Sequence, residues 1–170
     1  MATATRSSYH HGDLRAALLD AAMVILERGE AFSIRAIARA AGVSPAAPYR
    51  HFPDREALES ALAARGLRDL TADLSGVCPL PRDPVELSEL GAAYVDFALR
   101  RPALFRLMFG QECDHELAER VQAAAELNEL LTTAIANVYP ESDQVDVALG
   151  GWGLVHGLAC LYLDRKLISP

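Results

Sequence analysis

The sequence predicts an all-α protein, on two observations. Ala and Leu contribute 30 and 25 of the 170 residues, whereas Val, Ile and Thr together contribute only 20. Small and straight-chain residues favour helices, and β-branched residues favour strands. Apolar residues also recur at spacings of three and four along most of the chain, the period of a helix with one buried face. A hydrophobic content of 51% with 23% charged residues excludes a disordered or low-complexity chain.

Residues 1–12 form a polar arm with Arg6, Tyr9, His10 and His11. From Asp13, Leu14, Leu18, Ala21, Ala22, Ile25 and Leu26 define a first helix, stopped by Gly29. Ser33 is placed to cap a second, short helix whose inward residues are Ile34, Ile37, Ala38 and Ala41. Gly42 ends it, Val43 plugs the corner, and Ser44 is the candidate cap of a third segment reaching His51 or Phe52. Two short helices joined by a tight Gly-containing turn are a helix-turn-helix signature, whose second helix enters a DNA major groove.

Phe52-Pro53-Asp54 breaks the chain, and Asp54 caps a fourth helix from Arg55 to about Leu74. Residues 76–84 hold three Pro and read as a loop. A fifth helix follows from about Val85 to Arg100, with Leu87, Leu90, Tyr94, Val95, Ala98 and Leu99 mostly inward. Pro102 suits the first turn of a sixth, and Gly110 stops it. The seventh runs from about His115 to Val138, with Leu117, Val121, Ala124, Leu127, Leu131, Ile135 and Val138 at core spacing. The eighth runs from about Asp143 to Arg165. Its apolar run, Val147–Leu163, is shorter than the ~20 residues of a membrane span and reads as a buried helix. The expected division is a head, residues 1–53, and a body, residues 54–170, bridged by the helix over 54–75.

Charge is distributed unevenly. The net charge of −7 speaks against a nucleic-acid binder when taken whole. Residues 1–55, however, carry seven Arg against five acidic residues, a net of +2, and the rest of the chain carries −9. Such asymmetry marks the N-terminal segment as the surface for an anionic partner. Three widely spaced Cys and no CxxC unit argue against a disulfide framework or structural zinc, and suit a reducing cytoplasm. No apolar leader precedes the head.

The stretch FSIRAIARAAGVSPAAPYRHFPDREAL, residues 32–58, resembles the DNA-binding head of tetracycline-repressor-like (TetR-type) transcriptional regulators. The opening YHHGDLR, residues 9–15, and the block GWGLVHGL, residues 151–158, are similar to a subset with a Trp/His/Gly-type C-terminal domain. The resemblance implies a homodimer that binds double-stranded operator DNA and is released by a small-molecule effector bound in the body. Two departures stand out. Pro48 replaces the usual aliphatic residue and removes a hydrogen bond from any helix capped by Ser44, so that helix starts late or is irregular. The chain also ends at Pro170, where related bodies commonly carry one more helix, which bears on the expected dimer mode.

Candidate base contacts are Ser44, Pro45, Ala46, Ala47 and Arg50. The Arg50 fork matches guanine O6 and N7, while the small residues offer apolar contact to thymine methyls. A pair with Asp54 is the alternative use of Arg50. Candidate phosphate contacts are Tyr49, His51 and Arg55, with Arg35 at the start of the second helix, while Arg6 in the arm is a candidate for an adjacent minor groove. Packing in the head is the alternative for Tyr49 and His51, and simple solvation for Arg35.

In the body, Trp152, His156 and Cys160 share one helix face. Tyr94, Phe97, Phe105, Met108 and Phe109 join Trp152 and His156 as the candidate lining of an apolar pocket, although aromatics at helical spacing also build ordinary cores. A helix apolar all round needs cover on more than one side, so one side lines the pocket and another meets a partner subunit. No cofactor is expected, because His156 and Cys160 lack further metal ligands nearby. Cys113 is either a plain free thiol or a redox sensor, and Glu112, Asp114 and Glu116 read as a solvated acidic face. No Ser-His-Asp set or Gly-x-Ser-x-Gly elbow is visible. A helical small-molecule carrier or enzyme using the body pocket is the competing function.

Overall fold

The structure is a computed structural model that describes residues 11–110 and 118–167. Among these there are seven α-helices and no strand. They are α1 (His11–Glu27), α2 (Ile34–Ala40), α3 (Arg55–Val77), α4 (Pro84–Arg100), α5 (Pro102–Gly110), α6 (Ala118–Val138) and α7 (Gln144–Leu163). One 3-10 turn, Pro48–Arg50, lies between α2 and α3. Arg6, Glu112, Cys113, Asp114, Glu116 and Leu117 lie outside the described residues. The chain divides into two compact units at Leu62 and Ala63, within α3.

In the first unit, α1 packs on α2 around Leu18, Ala22, Ile25, Ile37 and Ala38, with Phe52, Leu58 and Leu62 completing the core. The Ser33 hydroxyl accepts from the Ala36 amide at 3.2 Å and so starts α2. Gly29 and Gly42 hold φ of +65° and +70°, a left-handed region that costs other residues energy. Ser44 caps no helix, and the late start that Pro48 implied is the one observed. Residues 44–47 make a turn closed by the Ala47 amide on the Ser44 carbonyl (3.0 Å), and the helical residues begin at Pro48. The residue before them, Ala47, has no side-chain cap bond. Pro48 is the cause: it has no N–H to continue a helix from Ser44 and fits only a first turn. Pro53 then disfavours helix at Phe52, leaving a single turn.

In the second unit, α7 lies mainly along α4 and also packs on α6. Asp83 caps α4, accepting from the Val85 and Glu86 amides at 2.9 and 3.0 Å, with Pro84 in the first turn. Asp143 caps α7 in the same way. The remaining part of α3 is tied to α4 by Arg101–Asp69 (2.7 Å) and Arg100–Asp73 (2.8 Å), and to α6 by Arg68–Glu119 (2.9 Å). Partly exposed pairs of this kind contribute at most about 1 kcal/mol each, so they set register more than stability. Two glycines permit close approach. A Cβ at Gly91 would meet Val155 Cγ1 at 3.1 Å, and one at Gly66 would meet Met108 Sδ at 2.7 Å and Leu104 Cδ1 at 2.9 Å.

Two expectations are corrected here. The eighth predicted helix, now α7, is not buried: of its residues only Ala159 is, while Leu149, Leu154 and Leu161 are exposed. At 20 residues with mean hydropathy 1.3, it is also long and apolar enough, by length and composition alone, to cross a membrane. Its apolar residues surround the whole helix, and α4 and α6 cover one side only. Val121, expected in the core, is 37% exposed.

Candidate functional site

The head presents its polar side chains from the turn and the two helices that flank it. Ser44, Pro45, Ala46, Tyr49 and Arg50 are exposed, and Tyr49 retains 52% exposure. Tyr49 is therefore a surface residue rather than part of the head core. Pro48 is fully buried beneath them and anchors the turn, while Ala47 and His51 are half-buried. The His51 ring lies 6.5 Å from that of the buried Phe52. Arg50 does not pair with Asp54: the Asp54 carboxylate instead caps α3 by accepting from the Ala57 amide at 2.8 Å. Arg35 and Arg50 are exposed and have no ion-pair partner among the described residues. Arg55 differs, since Glu59 holds its Nε at 2.7 Å and its guanidinium lies 5.5 Å from the Phe32 ring centroid. Arg50 and Tyr49, next in sequence to the small side chains of the turn, and the exposed Arg35 at the start of α2 are groups that can meet phosphates and base edges.

The second unit contains a cavity of about 540 Å³. Leu67 of α3 and Met108 and Phe109 of α5 form one side; Arg120, Ala124, Leu127, Asn128, Leu131 and Thr132 of α6 form another; Val145, Ala148, Leu149 and Trp152 of α7 form a third that leaves the space partly open. The size and apolar character are those of a small-molecule site with a few polar groups. Arg120 is 6% exposed, and its Nη2 donates to the Met108 carbonyl at 2.8 Å. The Thr132 hydroxyl donates to the Asn128 carbonyl at 2.8 Å.

Beside the cavity lies an aromatic cluster with a polar centre. Trp152 Nε1 donates to Tyr94 Oη at 3.3 Å, and Tyr94 Oη lies 2.9 Å from His156 Nδ1. The Trp152 and Tyr94 protons both find acceptors if Tyr94 donates to a neutral His156 that carries its own proton on Nε2. Burial favours that state on both sides: it pushes the Tyr94 phenol well above its ordinary range and holds His156 below its usual value. Phe105 and Phe109 flank the imidazole with ring centroids at 5.3 and 4.8 Å.

Of the seven pocket residues expected from sequence, Met108, Phe109 and Trp152 line this cavity. Tyr94 lines a smaller neighbouring one with Trp152. Phe97 and Phe105 are buried and line neither, and His156 supports the wall from behind. Sequence reading missed Leu67, Arg120, Asn128, Thr132 and the α7 residues Val145, Ala148 and Leu149, and took Ala124, Leu127 and Leu131 for core positions only. Arg120 carried a usable signal, because it stands in helical register with Ala124, Leu127 and Leu131, where a charge is out of place. Among the described residues, no three His, Cys, Asp or Glu side chains are grouped to hold a metal ion.

A model of the tetR family of bacterial regulatory proteins matches residues 18–72, and a tetracyclin repressor-like C-terminal domain matches residues 87–170. The HTH-type transcriptional repressor KstR of Rhodococcus jostii (strain RHA1) is 29% identical over 150 residues, covering 84% of this chain and 69% of KstR. A solved protein of unknown function from Rhodococcus sp. RHA1 is 32% identical with a TM-score of 0.81, over 96% of this chain and 89% of that one. NalD, the secondary repressor of the MexAB-OprM multidrug efflux pump in Pseudomonas aeruginosa, shares the fold at TM-score 0.60 and 22% identity, over 94% and 88% of the two chains. The chain belongs to the tetracycline repressor family, whose members are DNA-binding, ligand-responsive transcriptional regulators rather than enzymes.

Proposed function

We propose that this regulator is a cytoplasmic repressor that leaves its operator when a small molecule fills the 540 Å³ cavity. The observation that carries this reading is the position of Leu67. It lines the cavity from α3, the helix that starts at Arg55 just after the exposed turn of the head. A ligand that displaces Leu67 displaces α3 and bears on the head. Repression rather than activation is supported by KstR, which is named a repressor.

In this reading residues 1–53 are the DNA-binding head and residues 54–170 the regulatory and dimerisation body. Arg50 reads bases in the major groove, together with apolar contacts from Ser44, Pro45, Ala46 and Ala47. Arg35, Tyr49, His51 and Arg55 hold phosphates, Arg55 with its charge partly offset by Glu59. The uncovered face of α7 mates with a second copy of the chain, which places two heads on one operator. The acidic body is repelled by DNA, so the heads are the attractive surface.

A gel shift with the protein's own upstream DNA, followed by a metabolite screen for release, tests the proposal. Specific binding reversed by a compound that no longer acts after cavity mutation is the expected result. The absence of a bound site both upstream and genome-wide overturns it.

A further inference from the structure

The 540 Å³ cavity has a neighbour of about 320 Å³, a partly open space lined by α4, α6 and α7. Three residues, Leu131, Ala148 and Trp152, line both. They are the wall between the two spaces. Ala148 is too small to block a passage, so the bulk of the wall is the Leu131 side chain and the Trp152 indole.

The two spaces follow one another along α6. The first is lined from Arg120 to Thr132 and the second from Leu131 to Tyr139. At 1.5 Å per residue these spans are about 18 and about 12 Å long, offset along α6 with a short overlap, while on α7 they share the stretch around Ala148 and Trp152 and use different faces of the helix. The polar groups are not spread evenly. Arg120, the one charged residue of the lining, lies at the far end of the first space, with Asn128 and Thr132 further along it. Beyond Trp152 the lining is apolar apart from the two tyrosines, Tyr94 and Tyr139.

The indole is held lightly. Its one hydrogen bond, to Tyr94 Oη, is long at 3.3 Å, and Trp152 is 41% exposed. On the side of the smaller cavity Gly91 and Gly151 offer no side chain to brace it.

From this arrangement we infer that Trp152 is a partition that sets how long an effector the body accepts. The effector class is an unbranched apolar chain with a single hydrogen-bond-accepting end group directed toward Arg120. This rests on the proposed role of the larger cavity as the effector site. A chain that outgrows the first space must turn the indole aside to continue into the second.

The test is calorimetric titration of the full-length protein with straight-chain saturated carboxylates from octanoate to octadecanoate, below their micelle concentrations. In the wild type, affinity rises about fourfold per added methylene and levels off once the first cavity is full. In Trp152→Ala the rise continues to longer chains. Tyr94→Phe keeps the ring but removes the acceptor that holds the indole, and moves the plateau in the same direction if Trp152→Ala does not fold. A plateau at the same chain length in the wild type and in the folded variants overturns the partition and leaves the effector site standing. Failure of every carboxylate to bind wild-type protein that still shifts its operator overturns the effector class and the partition with it, whereas release of that operator by another compound in the metabolite screen keeps the larger cavity as the effector site.

Discussion

Tyr94 Oη and His156 Nδ1 lie 2.9 Å apart, joining α4 to α7 through the centre of an aromatic cluster. Tyr94 is 1% exposed, so its hydroxyl has no water to fall back on. Removing it strands the His156 acceptor and the Trp152 donor together. Tyr94→Phe keeps the ring packing and is expected to cost about 1–3 kcal/mol of stability. Chemical denaturation reads this directly, and a loss within error of zero would show that water replaces the hydroxyl.

The same pair makes stability pH-dependent. Burial holds the native pKa of His156 below its ordinary 6.5. Between that native value and 6.5 the unfolded chain binds more protons than the folded one, so stability falls as pH drops through this window. Above 6.5 both states are neutral at this site, and the contribution is constant. His156→Asn offers an acceptor oxygen without the titration. Wild type is expected to lose more melting temperature than this variant between pH about 7 and about 5, and parallel curves would contradict the assignment.

Much of the fold was legible because its punctuation is local. Ser33 and Asp54 cap helices, Gly29 and Gly42 take left-handed turns, and Pro102 occupies a first turn. Each is decided by residues a few positions apart. Ser44 caps no helix for an equally local reason, the missing N–H of Pro48, which the sequence displayed but did not resolve into one turn. The body site was less legible because a cavity is a property of several helices at once. Phe97 and Met108 look alike in a helical period and are both buried, yet one fills the core and the other borders a cavity. The burial of α7 failed because apolarity all round a helix states that every side needs cover, not that the same chain supplies it.

Gly66 faces α5 so closely that a methyl group there would meet Met108 Sδ at 2.7 Å and Leu104 Cδ1 at 2.9 Å. Leu104 is fully buried and cannot yield, whereas the Met108 thioether can swing toward the cavity it lines. Gly66→Ala is therefore expected to cost about 1–3 kcal/mol by overpacking and to shrink the cavity. Thermal melting with and without a cavity-binding ligand separates the two effects. An unchanged ligand-induced shift would place the relaxation elsewhere than at Met108.

Arg50 and Arg35 are both exposed cations of the head, but they are assigned different work. Arg50→Ala is expected to cost about 1–3 kcal/mol on the operator and to relax specificity at one base pair, as a lost guanine fork does. Arg35→Ala is expected to weaken all DNA sequences alike and to reduce the salt slope by about 1. Binding across a salt series and a set of single-base operator variants distinguishes them. Identical profiles for the two variants would refute the division into base and phosphate contacts.

The uncovered face of α7 gives the sharpest test of the dimer. No atom lies within 4 Å of a Cβ built at Gly150, Gly153 or Gly157, so these glycines answer to nothing within their own chain. Glycine in a helix interior costs about 1 kcal/mol relative to alanine, a cost that close approach of a second backbone would offset. Gly157→Leu should therefore leave the isolated subunit as stable as before or more so, since it adds a better helix former into open space. At a mating surface, the same side chain holds the two helices apart. The expected outcome is monomers in sedimentation velocity, retained helical circular dichroism, and operator affinity reduced at least tenfold because the two heads bind independently. A Gly157→Leu protein that sediments as a dimer would place the interface on another face.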